Sequence, residues 1–287
     1  MAILTKKANW MAAIAVAIAL GLPRVHGASL YMSVVAETFV PDSARYTATP
    51  GNAVTYVAVD AGYIESGDPV GGVTPAPAGL VSAAVTQALA AHGYQPAPAG
   101  AAPTLLIVYS WGEIRRDSLQ PLPTNHLRGN DRARLLLVTR NDDAEKIDAS
   151  LVNDRYSPIK AGAMSLTTQQ REALQLAGDA MHFVVVSAYD AAALQQQQVK
   201  PVWQVRMSTR AVGHSMSDAV ANLVAYGAPY FGNDEKLRVD LKKDIVPATS
   251  LGTPAAPAQA PGGLDPALVQ RITASEHDRW SGKFPSD

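Results

Sequence analysis

Six consecutive residues, Gly213-His214-Ser215-Met216-Ser217-Asp218, place a hydroxyl, an imidazole and a carboxylate within one short stretch, the residue types of nucleophilic acyl transfer. That chemistry needs a serine at a sharp strand-to-helix turn with a general base in reach. The stretch follows a predicted strand and opens a predicted helix, but the second glycine of the Gly-x-Ser-x-Gly pattern is absent. A serine in that place also serves as an N-cap, accepting from the amides of the first turn. The cap is the simpler reading of Ser215; His214, Ser215 and Asp218 stay as local candidates for a cofactor-free hydrolase whose other residues converge from loops.

Other chemistries find less. The histidines at 26, 92, 126, 182, 214 and 277 form no His-x-x-x-His or His-Glu-x-x-His pair, and Asp179 with His182 or Glu276-His277-Asp278 come nearest, so no metal site is expected. Gly67-Asp-Pro-Val-Gly-Gly72 lacks the Gly-Lys-Ser/Thr ending of a phosphate loop, and no cofactor is expected. Asp142-Asp143 reads as a turn. Aromatic residues sit on or beside predicted strands and turns. They read first as core; as a binding face, Tyr109, Trp111, Trp203, Tyr230 and Phe231 are its candidates.

Composition narrows the setting. The chain of 287 residues is 47% hydrophobic and only 17% charged, with a formal charge of -1 and no basic block over its folded part, which argues against nucleic acid as a partner. It has no cysteine, so disulfides, thiolate catalysis and an acylated N-terminal cysteine are all excluded. Lys6 and Lys7, the apolar run from Trp10 to Leu22, and Val25-His26-Gly27 before Ala28 have the form of a secretory signal. The run is shorter than the ~20 residues of a membrane span. Removal of residues 1–27 would take the basic count from 24 to 21 against 25 acids, leaving a mildly acidic exported chain with no transmembrane span; the Ala-rich composition favours a Gram-negative periplasm.

In chain order, the elements that would position these residues begin with Leu30 to Val40, a short strand or an extended arm, and Val54 to Asp60, the first core strand. A Pro/Gly-rich crossing leads to a helix from Gly79 to His92 that carries no acid, lysine or arginine, stopped by Gly93. Thr104 to Trp111 completes a βαβ-like unit. A polar insertion at about 113–163 contains one strand candidate, Ala133 to Thr139, with Arg134 able to stay in water at its start. Thr167 or Thr168 caps a second helix, and Met181 to Asp190 is a buried strand. Gln195 to Gln198 is a solvated loop, and Lys200 to Thr209 alternates as a half-exposed antiparallel partner. A third helix runs from Ala219 to Tyr226. The expectation is an α/β domain, with α+β as the alternative, over 28–246: a mixed sheet of five or six strands with two or three packed helices. A Pro/Ala/Gly linker at 247–263 then joins it to a flexible C-terminal tail, an amphipathic segment at 264–287 able to dock on this chain or on a partner.

With Leu89-x-x-x-Gly93-Tyr94, Pro103-Thr-Leu-Leu-Ile-Val-Tyr109 and Pro201-Val-Trp203 in this order, the stretch from Val54 to Tyr230 resembles bacterial envelope proteins of unknown function that share a small α/β lipoprotein-like domain. It departs from them by having no cysteine to acylate and by its long insertion. The resemblance implies a non-catalytic envelope domain and supplies no site residues. The function expected is therefore binding or structural, in the cell envelope, with an envelope protein partner reached through the C-terminal segment. The hydrolase is one rival. The other is a self-assembling subunit using the charge-free helix as an oligomer contact.

Overall fold

The structure, a computed structural model, describes residues 29–49, 52–68, 74–115, 129–156, 166–234, 239–246 and 263–282. The signal-like segment and most of the linker lie outside them. The class is mixed α/β, built on a sheet of seven strands instead of five or six. They are β1 (Ser29–Thr38), β2 (Val54–Ser66), β3 (Tyr94–Pro96), β4 (Leu105–Ile114), β5 (Met181–Asp190), β6 (Pro201–Arg210) and β7 (Val239–Asp244), in the order β3-β2-β4-β5-β6-β1-β7. β2 runs parallel to β3 and β4, and the other pairs are antiparallel.

Helices cover both faces, which is why so many strands read as continuous apolar runs. On the first face, α1 (Ala78–Ala91) and α6 (Met216–Gly227) pack Val81, Val85, Leu89, Val220 and Leu223 against the alternate residues Tyr109, Trp111, Val184, Val186, Trp203 and Val205. α1, a candidate oligomer contact by sequence, is thus a core element; Gly93 follows its end at φ +85°, as a helix stop requires. On the second face lie α2 (Asn130–Val138), α3 (Asn141–Tyr156), α4 (Thr168–Leu176), the short α5 (Ala191–Gln195) and α7 (Pro266–Trp280).

Several expectations change. The strand read at Ala133 to Thr139 is helix α2. Every residue from Ala133 to Val138 is buried, so no polar face shows the 3.6-residue period, and a short apolar run of that kind cannot be told from a strand. Arg134 is buried and ion-paired with Asp131 one turn earlier, not left in water. Asp142 and Asp143 are no turn: they fill the first turn of α3, where the helix dipole favours acids. β6 is not half-exposed, since the second helical layer buries Gln204, Arg206 and Ser208 as fully as Trp203 and Val205 opposite. The N-terminal arm is a full strand, β1, held between β6 and β7. The charged stretch after Asn233 supplies β7, whose Lys242 and Lys243 blunt a sheet edge.

β2 continues past Asp60 through a bulge to Ser66. Gly62 takes φ +92° there, its amide donating to Asp60 Oδ1 at 2.7 Å. Opposite, β4 extends to Ile114, two residues into the region that reads as polar.

The C-terminal segment is a docked helix and not a flexible tail over its described length. Asp265 caps α7, its carboxylate accepting from Ala267 N at 2.9 Å. Leu268, Val269, Ile272 and Trp280 are buried against this chain's own sheet. Its apolar stripe is therefore occupied. Among the described residues no helix is long and apolar enough to cross a membrane.

Candidate functional site

Two polar clusters lie inside this double-layered sheet, one on each face. The first lies on the α6 side, where Glu113 on β4 stands beside His182 on β5 in cross-strand register. Arg115 is ion-paired with Glu113 and reaches Glu65 Oε1 at 2.9 Å and the Asp68 carbonyl at 3.0 Å. His182 Nδ1 lies 3.5 Å from Glu113 Oε2, and its Nε2 lies 3.4 Å from the His214 carbonyl. Burial holds the His182 imidazole below its ordinary value of 6.5, so it is neutral. The unfolded chain then takes up this proton first as pH falls through 6.5, and stability present above that pH is lost below it. His182→Gln is expected to flatten the fall in unfolding free energy between pH 7 and 5 by up to about 1.4 kcal/mol per pH unit, measured by urea titration at each pH.

The same geometry places the hydrolase candidates. Ser215 accepts from Asp218 N at 3.1 Å, which is the bond of a helix N-cap, and its hydroxyl donates to Asp218 Oδ2 at 2.7 Å. His214 offers its carbonyl to His182, and no hydrogen bond joins its ring to Ser215. The cap reading predicts that Ser215→Ala lowers stability by about 1 kcal/mol, read as a shift in urea midpoint, with ligand binding unchanged.

The second cluster carries a cavity. It lies on the other face, between β5, β6, the start of α3 and the last turns of α7, and encloses about 330 Å³. Beneath it Arg206, fully buried on β6, is ion-paired with Glu37 of β1 and donates to Asn141 Oδ1 at 3.1 Å. Glu37 Oε1 accepts from Asn141 N at 2.9 Å, tying the start of α3 to the sheet, and Arg140 joins through its Nε, 3.8 Å from Glu37 Oε1, while pairing with Asp234 at 3.1 Å. Burial, with Arg279 and Arg140 nearby, brings the Arg206 guanidinium down to about 10, so it remains charged at neutral pH.

Polar groups line the cavity wall. Gln204 donates from Nε2 to Ser187 Oγ at 2.8 Å, while its Oε1, on a side chain 2% exposed, has no protein partner. Glu276 has both oxygens engaged, accepting from the Tyr189 hydroxyl and from Trp280 Nε1 at 3.2 Å. The Tyr189 hydroxyl is consequently held far above the usual phenol range, first by burial and then by that carboxylate. Arg279 lines the same wall; its guanidinium rests on the Trp280 ring at 5.6 Å, and among the described residues it has no ion pair. Phe39, Val199 and Pro201 form the apolar part of the lining, with Phe39 39% and Val199 54% exposed. A larger groove of about 600 Å³ runs between β2 and α7 past Val59, Ala61, Val269 and Ala274. Its lining is mostly apolar, and its polar members Gln270, Thr273, His277 and Asp278 all come from α7, whereas the smaller cavity gathers polar side chains from α3, β5, β6 and α7, so the smaller one is the better site.

Of the aromatic candidates, Tyr109, Trp111, Trp203 and Phe231 are buried between the sheet and α1 and α6, with Trp203 stacked on Phe231 at 5.7 Å, so they are core residues. Tyr230 is half-buried at the edge of that core. Trp203 alone of the five also borders the cavity. The residues that build the site, Glu37, Asn141, Ser187, Gln204, Arg206, Glu276 and Arg279, carry no motif. The one signal available was the run of Gln204, Arg206 and Ser208 at alternate positions of a strand whose other side is apolar. Among the described residues no three His, Asp or Glu side chains gather as a metal site would need.

No family model matches the chain, and no curated protein matches it in sequence. Among solved structures it is similar to the PelC dodecamer from Paraburkholderia phytofirmans, with TM-score 0.29 and 14% identity over 71% of this chain and 99% of that one. It is similar also to a DUF4136 family protein from Bacteroides thetaiotaomicron, with TM-score 0.32 and 15% identity over 69% of this chain and 95% of that one. A PDZ domain protein from Parabacteroides distasonis gives TM-score 0.36 and 10% identity over 75% of this chain and 39% of that one. These likenesses are to bacterial proteins, and none supplies a residue for the cavity.

Proposed function

We propose that this chain is an exported cell-envelope protein acting as a non-catalytic binding module, with the cavity beside β6 and α7 as its ligand site. The observation that carries the reading is the cavity itself: about 330 Å³ whose lining joins the polar Ser187, Gln204, Glu276 and Arg279 to the apolar Phe39, Val199 and Pro201. Exposed Phe39 and Val199 suit the apolar part of such a ligand. Lys6, Lys7 and the apolar run after them support export. Among the described residues no hydroxyl lining this cavity is hydrogen-bonded to a histidine, which favours binding over hydrolysis.

Anything that binds only the folded state raises its melting temperature by mass action. The small-molecule fraction of a bacterial envelope extract is therefore expected to raise the melting temperature of the purified chain. The shift should vanish in Val199→Asp, a substitution at an exposed rim position that leaves the core intact. No shift with the natural sequence, or an equal shift in the variant, would sink the reading.

A further inference from the structure

β2 is 13 residues long, yet β3 pairs with it only from Val54 to Tyr56. On that side the Tyr56 carbonyl accepts from Ala97 N, while on the β4 side the Thr55 carbonyl accepts from Thr104 N. Successive residues of a strand turn their backbone groups to opposite neighbours, so those of Ala58 and Asp60 point away from β4, as those of Tyr56 do. Among the described residues no backbone group bonds to them there. The opposite edge of the sheet, β7, is guarded by Lys242 and Lys243, whereas Val57-Ala58-Val59-Asp60-Ala61 contains neither lysine nor proline. This open edge ends at the bulge, where His277 Nδ1 lies 3.0 Å from the Ala61 carbonyl.

The groove of about 600 Å³ lies beside the same stretch, with Val59 and Ala61 on its strand side and Val269, Thr273 and Ala274 on its helix side. It shares no lining residue with the polar cavity. An open edge next to a groove is what an added strand needs: its backbone supplies the hydrogen bonds, and every second side chain enters the groove. Charge narrows the occupant. Among the described residues Asp278 is the one carboxylate in the lining, no lysine or arginine lies there, and Asp278 has no ion pair. We propose that this edge and groove bind an extended segment of a partner protein, added to β2 as a further strand. The segment is apolar at alternate positions and carries a lysine or arginine that faces Asp278.

The test is fluorescence anisotropy of the full chain with the labelled peptide amide Lys-Thr-Val-Thr-Val-Thr and with two derivatives, one N-methylated at its valines and one at its threonines. Only alternate amides of an added strand face β2. One derivative should therefore bind at least about tenfold more weakly than the parent peptide, and the other as tightly. Ala58→Pro removes an outward donor and leaves the β4 ladder intact, so it should weaken the parent peptide about as much at an unchanged melting temperature. Ala274→Lys, at an exposed position of the groove, should do the same. Replacing the peptide's lysine by glutamine should cost about three- to fivefold, and Asp278→Asn should erase that difference. No binding of the parent peptide, or equal binding of all three peptides, would overturn the proposal. So would self-association of the chain that Ala58→Pro abolishes, since the edge would then belong to a second copy.

Discussion

Glu37→Ala is expected to cost about 3–5 kcal/mol, because it strands a fully buried guanidinium. Arg206 has one carboxylate partner, Glu37, and its remaining hydrogen bond is to Asn141 Oδ1. The same substitution removes the acceptor of Asn141 N, so the first turn of α3 loses its tie to the sheet. Urea denaturation of the single variant should show a large fall in midpoint. The informative comparison is the double variant Glu37→Ala with Arg206→Met. If the loss comes from an unpaired charge and not from missing bulk, removing the charge as well should restore most of the stability, since a buried ion pair and an apolar replacement are often near equal. A double variant as unstable as the single one would place the loss in packing and in the α3 tie. The cavity over this pair depends on it, since Arg206, Glu37 and Asn141 together hold the start of α3 against β6, the strand that carries Gln204.

Trp280→Ala should cost a further large amount, about 3–5 kcal/mol, and should act on a different part of the molecule. Its side chain is fully buried, packs against Phe183 at 6.3 Å between ring centroids, and donates from Nε1 to Glu276 Oε2. It is the residue that fastens the C-terminal end of α7 to the second face of the sheet. Truncation leaves a void beside Phe183 and deprives Glu276 of one of its two donors. Hydrogen exchange is the sharper readout. Amides from Val269 to Trp280 should lose protection well before those of β4 and β5, as expected when the C-terminal turns of a helix lose their largest buried anchor. The cavity should lose its α7 wall with it, because Glu276 and Arg279 belong to that helix. Uniform loss of protection across the sheet would show that α7 unfolds only with the whole domain.

Much of the local structure was legible in the chain. Gly93 after a run free of charge, Thr167 with Gln170 three residues on, Ser215 before an apolar stretch and Asp265 before Pro266 each mark a helix end by chemistry confined to a few residues, and each does so in the structure. The strands β4 and β5 were legible because burial on both faces leaves few polar positions in them. The same uniform burial hid α2, since Leu135-Leu136-Leu137 offers no period by which to tell helix from strand.

The candidate site was scarcely legible. Glu37, Asn141, Gln204 and Glu276 come from four elements far apart in the sequence, and each taken alone reads as an ordinary polar residue. The aromatics, which look like a binding face in one dimension, lie in the core because α1 and α6 cover that side of the sheet.

Helix caps, strand runs, the absence of thiol chemistry and the form of the N-terminus are fixed by neighbouring residues, and they are properties of this chain wherever it folds. Which polar residues meet is another matter. The second helical layer turns the polar side of β6 inward, and the return of α7 to the sheet puts Arg279 and Glu276 beside it. Burial and long-range register make the site, and both depend on the packing of layers, which the energetics of any short stretch does not contain.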